Sequence, residues 1–277
     1  MKDVIIIGAG PSGISAALYL KRLNRDILVI YKDEGSLKSA HKIENYYGAP
    51  SITGTDLFNI GLKQAKDLEI EIINDEVLTI TKYDNFQVKT VNGIYESKTV
   101  LLATGAERNT YIKGSKELMG QGVSACVMCD GFFYRNKKVA IIGDSYYMLE
   151  ELEALRNFTK DITIYTNGTL IDKPGNYEKI IELIKKDDKI IIKTNNTNES
   201  FDGVFLAIGT PKAQAFALTL GLGMNDSYLV VDENKMTNME GLFAAGDTTG
   251  GMLQVAKATY DGAIAGNAIH KYLKEHE

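Results

Sequence analysis

The hexapeptide Gly8-Ala9-Gly10-Pro11-Ser12-Gly13 constrains this chain of 277 residues more than any other segment. It follows a short β-branched run, Val4–Ile7, which reads as a buried parallel strand, and it precedes Ile14–Leu23, which reads as a helix. Asp26–Tyr31 supplies the next strand and completes a βαβ unit. In that setting each glycine has its own task. Gly8 permits the tight turn, Gly10 lets backbone approach a pyrophosphate, and Gly13 lets helix and strand pack closely. The phosphates then sit at the helix N-terminus. A glycine motif alone also fits a tight turn that holds no ligand; its place inside a βαβ unit points to a bound dinucleotide. The ribose partner is expected just after the second strand, where the sequence is Tyr31-Lys32-Asp33-Glu34. Asp33, Glu34 and backbone groups are all candidates, so the motif does not say which dinucleotide binds.

A second βαβ unit follows, with strands over Lys138–Ile142 and Asp161–Thr166 and a helix over Met148–Phe158. Further strands read at Thr99–Ala103, Asp202–Ile208 and Gly241–Ala245, and a long helix at Gln254–Leu273. The fold class expected is α/β, with two Rossmann-like, three-layer, parallel-sheet domains, the second smaller and inserted into the first. The dinucleotide domain is placed at 1–109 and 211–277 and the insert at 110–210, with crossings near Asn109–Tyr111 and Thr210–Lys212. The loop of the second unit reads Gly143-Asp144-Ser145-Tyr146-Tyr147-Met148. Ser145 stands where the second glycine belongs and Met148 where the third small residue belongs. A side chain at the first of these keeps backbone N–H groups from a pyrophosphate, and bulk at the second pushes helix from strand. One nucleotide site is therefore intact and the other is spoiled. Tyr146 and Tyr147 are either packing residues, or one of them fills the vacated nucleotide pocket or stacks near the ligand of the first site.

Just before that loop lies Cys126-Val127-Met128-Cys129-Asp130-Gly131, with the only two cysteines of the chain. Two cysteines cannot build a disulfide framework for a protein of this size. They complete a four-ligand zinc site only if His41, His270 or His276 converge on them, so no metal is expected. A C-x-x-C pair in a chain without an export signal reads as a redox pair. Asp130 is placed to move a proton or to cap a helix. A net charge of -5 argues against nucleic acid as a partner. No apolar run approaches the ~20 residues of a membrane span, and Asp3, the glycines and Pro11 break the N-terminal apolar stretch. A cytoplasmic location without membrane contact is the expectation. Arg135, Lys137 and Lys138 form a basic cluster, either a solvated face or a dock for an acidic partner. Lys185-Lys186-Asp187-Asp188-Lys189 reads as a solvated helix end.

Ser124–Arg135, which contains both cysteines and Asp130, resembles the redox-active segment of the low-molecular-weight thioredoxin reductases. Ala103-Thr104-Gly105-Ala106 is similar to that family's first crossing strand. Gly241–Asp247 resembles its C-terminal flavin motif, and Ile43-Glu44-Asn45-Tyr46-Tyr47-Gly48 the loop along the flavin. The resemblance implies FAD in the first site, held by the glycine loop, Tyr31, Lys32, Asn45, Ala103, Thr104, Gly105, Gly246, Asp247, Gln254 and Val255. It also implies a homodimer, in which Cys129 faces the flavin and Cys126 attacks the thioredoxin disulfide, with Asp130 as proton shuttle. In ordinary members the second loop binds NADPH, and an arginine-rich stretch holds the 2′-phosphate. Here that stretch is Tyr165-Thr166-Asn167-Gly168-Thr169-Leu170-Ile171-Asp172, without arginine, and the chain between Lys193 and Asp202 is shorter than the family pattern. The combination resembles the ferredoxin-dependent flavin thioredoxin reductases of anaerobic bacteria, which implies ferredoxin as donor. The alternatives are an NAD(P)H-dependent reductase with an atypical nucleotide site and a flavin-binding module without catalysis.

Overall fold

The computed structural model describes residues 1–49, 51–105, 112–125, 127–144, 146–169, 175–208, 213–225 and 228–277, apart from the side chains of Ser39, Met128, Cys129, Tyr146, Ala213 and Gln214. The chain forms two compact units, Met1–Arg108 with Lys212–Glu277, and Asn109–Pro211. The first arm of the outer unit runs β1 (Lys2–Ile7), α1 (Pro11–Arg22), β2 (Ile27–Tyr31), α2 (Gly54–Asp67), β3 (Glu71–Asn74), β4 (Val77–Lys82), β5 (Phe86–Thr90) and β6 (Ile94–Leu102). The inner unit holds β7 (Val123–Ser124), α3 (Val127–Asp130), β8 (Val139–Gly143), α4 (Tyr146–Leu155), β9 (Ile162–Tyr165), β10 (Ile180–Lys186), β11 (Lys189–Thr194), β12 (Asn198–Phe201) and β13 (Gly203–Ala207). The chain then returns as α5 (Ala213–Leu220), β14 (Met224–Asn225), β15 (Tyr228–Leu229), β16 (Leu242–Ala244) and α6 (Val255–Glu275).

In the outer unit the sheet order is β3-β2-β1-β6-β5-β4. β3, β2, β1 and β6 run parallel, and β16 joins the C-terminal half of β6, also in parallel. β5 pairs with the other half of that strand, and β4 with β5, both antiparallel. Alternation along the strands divides the apolar side chains between two cores. Val4, Ile6, Val29, Leu101 and Phe243 meet the helical layer of α1, α2 and α6. Ile5, Ile7, Leu28, Ile30 and Leu102 meet Val77, Ile80, Phe86 and Val88 of the meander and Phe216 of α5. α1 begins at Pro11, earlier than the apolar pattern indicates, because a first-turn proline forfeits no helical hydrogen bond. α1 and α6 cross at backbone distance. A Cβ on Gly262 would stand 2.1 Å from the Ser12 carbonyl oxygen, and one on Gly266 would stand 2.9 Å from that of Ala16. The crossing sets the start of α6 beside the glycine loop.

In the inner unit β7-β13-β8-β9 form a parallel sheet, and β10-β11-β12 an antiparallel one. Lys185–Lys189 is not a helix end. It is the turn of the β10–β11 hairpin, where Lys186 pairs with Lys189 and Asp187 has φ 54°. Asp tolerates the left-handed conformation of a short hairpin loop, and alternate burial at Ile190 and Ile192 marks a strand. α4 also begins and ends earlier than Met148–Phe158, which frees Phe158 to pack elsewhere. Among the described residues no helix is long and apolar enough to cross a membrane.

Candidate cofactor site and redox segment

The C-terminal ends of β1, β2, β6 and β16 carry Gly8, Tyr31 with Lys32, Ala103–Gly105, and Gly246 with Asp247, so the fold gathers these residues along one edge of the outer sheet. Ligands of open α/β sheets bind outside that edge. Gly8 has φ 111°, and a Cβ there would stand 2.3 Å from the Ala103 carbonyl oxygen; one on Gly13 would stand 1.9 Å from that of Gly8. These two glycines lock strand to helix. A Cβ on Gly10 would meet nothing within 4 Å, so the second glycine faces open space. Asn45 donates to the Gln254 side chain at 2.9 Å, which ties the Ile43–Gly48 loop to the start of α6 at Val255. Of the candidate ribose partners, Asp33 accepts from the Gly35 N–H at 2.7 Å and Glu34 from the Thr55 hydroxyl at 2.6 Å. Lys32 pairs with Glu76 at 2.9 Å.

Three buried polar atoms at this edge lack a hydrogen-bond partner: Thr104 Oγ1, Asp247 Oδ1 and Thr248 Oγ1. Such groups cost free energy unless they are bonded, and native interiors hold few of them. Adjacent strands β6 and β16 bring the three together. With the open space at Gly10 they suit a dinucleotide, whose phosphates and sugar hydroxyls offer many donors and acceptors. Burial pushes the Asp247 carboxyl above the usual aspartate range against the pull of Lys257, with Asp261 adding to the rise.

Beneath the turn Gly246–Thr249 lies a group the sequence did not reveal. Asp261, 1% exposed, is paired with Lys235 and Lys257, each at 2.7 Å. Its carboxylate accepts the Gly246 N–H at 3.2 Å, and Lys257 donates to the Gly246 carbonyl oxygen at 2.8 Å. Burial alone would raise the Asp261 carboxyl, but the bonds and charges of the two lysines outweigh it and hold the group below the usual range. The only sequence signal is the Gly262/Gly266 spacing, which marks a closely packed face on α6.

In the inner unit, Cys126 and the Cys129 side chain lie outside the described residues. Val127–Asp130 forms α3, followed by a 3₁₀ turn at Gly131–Tyr134. Gly131 is required by its neighbour, since a Cβ there would stand 2.6 Å from the Phe158 ring. The Tyr134 ring covers Gly203 and meets Phe205 edge-on at 5.3 Å. Burial, then Asp130 and Asp202, push its hydroxyl pKa up. Asp130 stands at the N-cap of the 3₁₀ turn without a side-chain capping bond. Phe132 and Phe133 are 62% and 66% exposed and touch edge to face. The basic cluster divides: Arg135 stacks over Phe132, Lys137 lies over Tyr134, and Lys138 is paired with Glu199 at 2.8 Å.

The second glycine loop is filled from within. A Cβ on Gly143 would stand 2.2 Å from the Ala207 carbonyl oxygen and 2.5 Å from Met148 Cβ, and Met148 is fully buried. Asp144 accepts from the Thr169 hydroxyl at 3.3 Å. Tyr147 is buried too, and burial raises its hydroxyl pKa. Ser145, the Tyr146 side chain and the two expected domain crossings lie outside the described residues.

The sequence profile of the pyridine nucleotide-disulphide oxidoreductases matches residues 2–186 and 175–262. The chain belongs to that family. Within it, a thioredoxin reductase of Listeria monocytogenes is 35% identical over 301 residues, spanning 99% of this chain and 94% of that protein. Among solved structures, the atypical thioredoxin reductase TRi of Desulfovibrio vulgaris Hildenborough superimposes with a TM-score of 0.91 at 33% identity, over 99% of both chains. A ferredoxin-flavin thioredoxin reductase of Clostridium acetobutylicum gives 0.75 at 27% identity, over 99% of this chain and 98% of that one. This oxidoreductase family thus accounts for the parallel-sheet α/β fold, and its thioredoxin reductases are the relatives.

Proposed function

We propose that this protein reduces thioredoxin through bound FAD and the Cys126–Cys129 pair, with electrons from reduced ferredoxin instead of a pyridine nucleotide. One observation carries the choice of donor: the second glycine loop is occupied by the chain's own side chains. Met148 is buried against Gly143, where a small residue would leave room, and Tyr165–Thr169 offers no arginine for a 2′-phosphate. The likeness to a ferredoxin-flavin thioredoxin reductase supports the same donor. FAD fits the first site, where the glycine loop, Thr104 and Asp247 would hold it. When bound, it joins a one-electron donor to a two-electron disulfide.

The remaining steps belong to the protein's own residues. The Cys126 thiolate attacks the thioredoxin disulfide, forming a mixed disulfide and releasing one thioredoxin thiolate, which Asp130 protonates. Cys129 then attacks the Cys126 sulfur, which frees the second thioredoxin thiol and closes the Cys126–Cys129 disulfide. The exposed Phe132–Phe133 pair offers apolar surface next to the cysteines for a protein partner.

A pyridine-nucleotide-dependent reductase with an altered pocket is favoured by the family match, which extends over the second loop. Anaerobic turnover separates the two. With thioredoxin as acceptor, reduced ferredoxin is expected to sustain steady thiol formation, and NADPH or NADH to give no rate above the donor-free blank. Turnover with NADPH at the ferredoxin rate would overturn the proposal.

A further inference from the structure

The Glu151 carboxylate accepts the backbone N–H of Val127 at 3.1 Å. Val127 lies between the two cysteines in Cys126-Val127-Met128-Cys129, whereas Glu151 belongs to α4, 24 residues further along. The bond ties α4 to the cysteine turn within one unit. Apart from α3, the elements packed most closely on α4 are β8 and β13, Val-Ala-Ile-Ile-Gly and Gly-Val-Phe-Leu-Ala, which carry no titratable side chain. On α4 the ionisable groups that interact with Glu151 are Tyr147 and Glu150, and α3 carries Cys129 and Asp130. Burial pushes the Glu151 carboxyl above the usual glutamate range, with Glu150 adding to the rise and the Val127 N–H opposing it. An amide would accept the same bond, so what the carboxylate adds at this turn is its charge.

We infer that Glu151 is a positioning residue of the redox centre: it fixes the start of the cysteine turn, and its charge sets how readily Cys126 gives up its proton. Four covalent bonds join the Val127 nitrogen to the Cys126 sulfur, so bond lengths alone keep that sulfur within about 8 Å of the carboxylate. At such a separation a negative group disfavours a second negative charge appreciably in protein surroundings. With Glu151 ionised, Cys126 holds its proton to higher pH than it otherwise would. The inference rests on the redox-pair assignment of Cys126 and Cys129 proposed above.

The test is the pH dependence of Cys126 alkylation in the flavin-loaded, dithiothreitol-reduced protein, with Cys129→Ser leaving a single thiol to report. Adding Glu151→Gln keeps an acceptor for Val127 and removes the charge. The alkylation midpoint is expected to fall by about one pH unit, roughly tenfold more thiolate on the acid side. Thermal stability should stay near that of the Cys129→Ser parent. Glu151→Ala should shift the midpoint equally and also lose stability; if it does not fold, the Gln variant decides alone. Superimposable profiles for Cys129→Ser with and without Glu151→Gln would overturn the inference. A failed redox pair shows separately: the unmutated protein would titrate with the same number of free thiols before and after flavin reduction, which removes the basis of the inference as well.

Discussion

Replacing Cys126 by serine is expected to stop thioredoxin reduction while the bound flavin still accepts electrons from its donor. A serine hydroxyl is a poor nucleophile at neutral pH and cannot enter a disulfide, so neither the mixed disulfide nor the Cys126–Cys129 bridge can form. Loss of such a group costs on the order of a thousandfold or more in rate. Flavin retention should not change, because the outer unit alone supplies Gly8–Gly13, Thr104 and Asp247. Visible absorbance measures the flavin step, and free thiols on thioredoxin measure the exchange step. Thioredoxin reduction by the Ser variant at the parental rate would mean that Cys126 is not the attacking thiol. Flavin that no longer accepts electrons would instead give this cysteine a part in the earlier step.

The second large effect belongs to Asp261. Its side chain is 2% exposed and answers two lysines whose side chains are 17% exposed each. Asp261→Ala leaves two nearly buried ammonium groups without a counter-charge, a loss of about 3–5 kcal/mol on the scale of broken buried ion pairs. It also removes the acceptor of the Gly246 N–H, so the turn that presents Asp247 loosens and flavin is held less tightly. Denaturation by urea and flavin fluorescence on dilution measure the two losses. The pH dependence has a definite sign. Asp261 is held below the usual aspartate range, so its contribution is present above the unfolded-chain value and fades only as pH falls through the lower folded value. The variant should therefore show a flatter stability profile on the acid side than the parent. Equal stability of the two at neutral pH would show that the lysines find other partners.

What the sequence reveals follows from range. Gly8–Gly13 and the apolar run before it are contiguous, so loop, strand and helix can be read together. The spoiled second loop is legible for the same reason, and Met148 packs where a small residue was needed. A charged pentapeptide such as Lys185–Lys189 fits a helix end as well as a hairpin turn. Only the alternation at Ile190 and Ile192 and the left-handed Asp187 distinguish the two. Asp261 with Lys235, and Glu151 with Val127, are residues 26 and 24 positions apart that meet only through tertiary packing. No local pattern announces such pairs. The orphaned Thr248 and Asp247 oxygens are likewise features of burial and not of composition.

In the function proposed, electrons reach the flavin without a pyridine nucleotide. The most direct measurement is the anaerobic visible spectrum of the flavin-loaded protein during successive additions of excess NADPH, excess NADH and chemically reduced ferredoxin. An unchanged oxidised flavin band after both nucleotides, and prompt bleaching with ferredoxin, are expected. Prompt bleaching by NADPH would contradict that function and would show that a nucleotide site survives beside Asp144 and Met148.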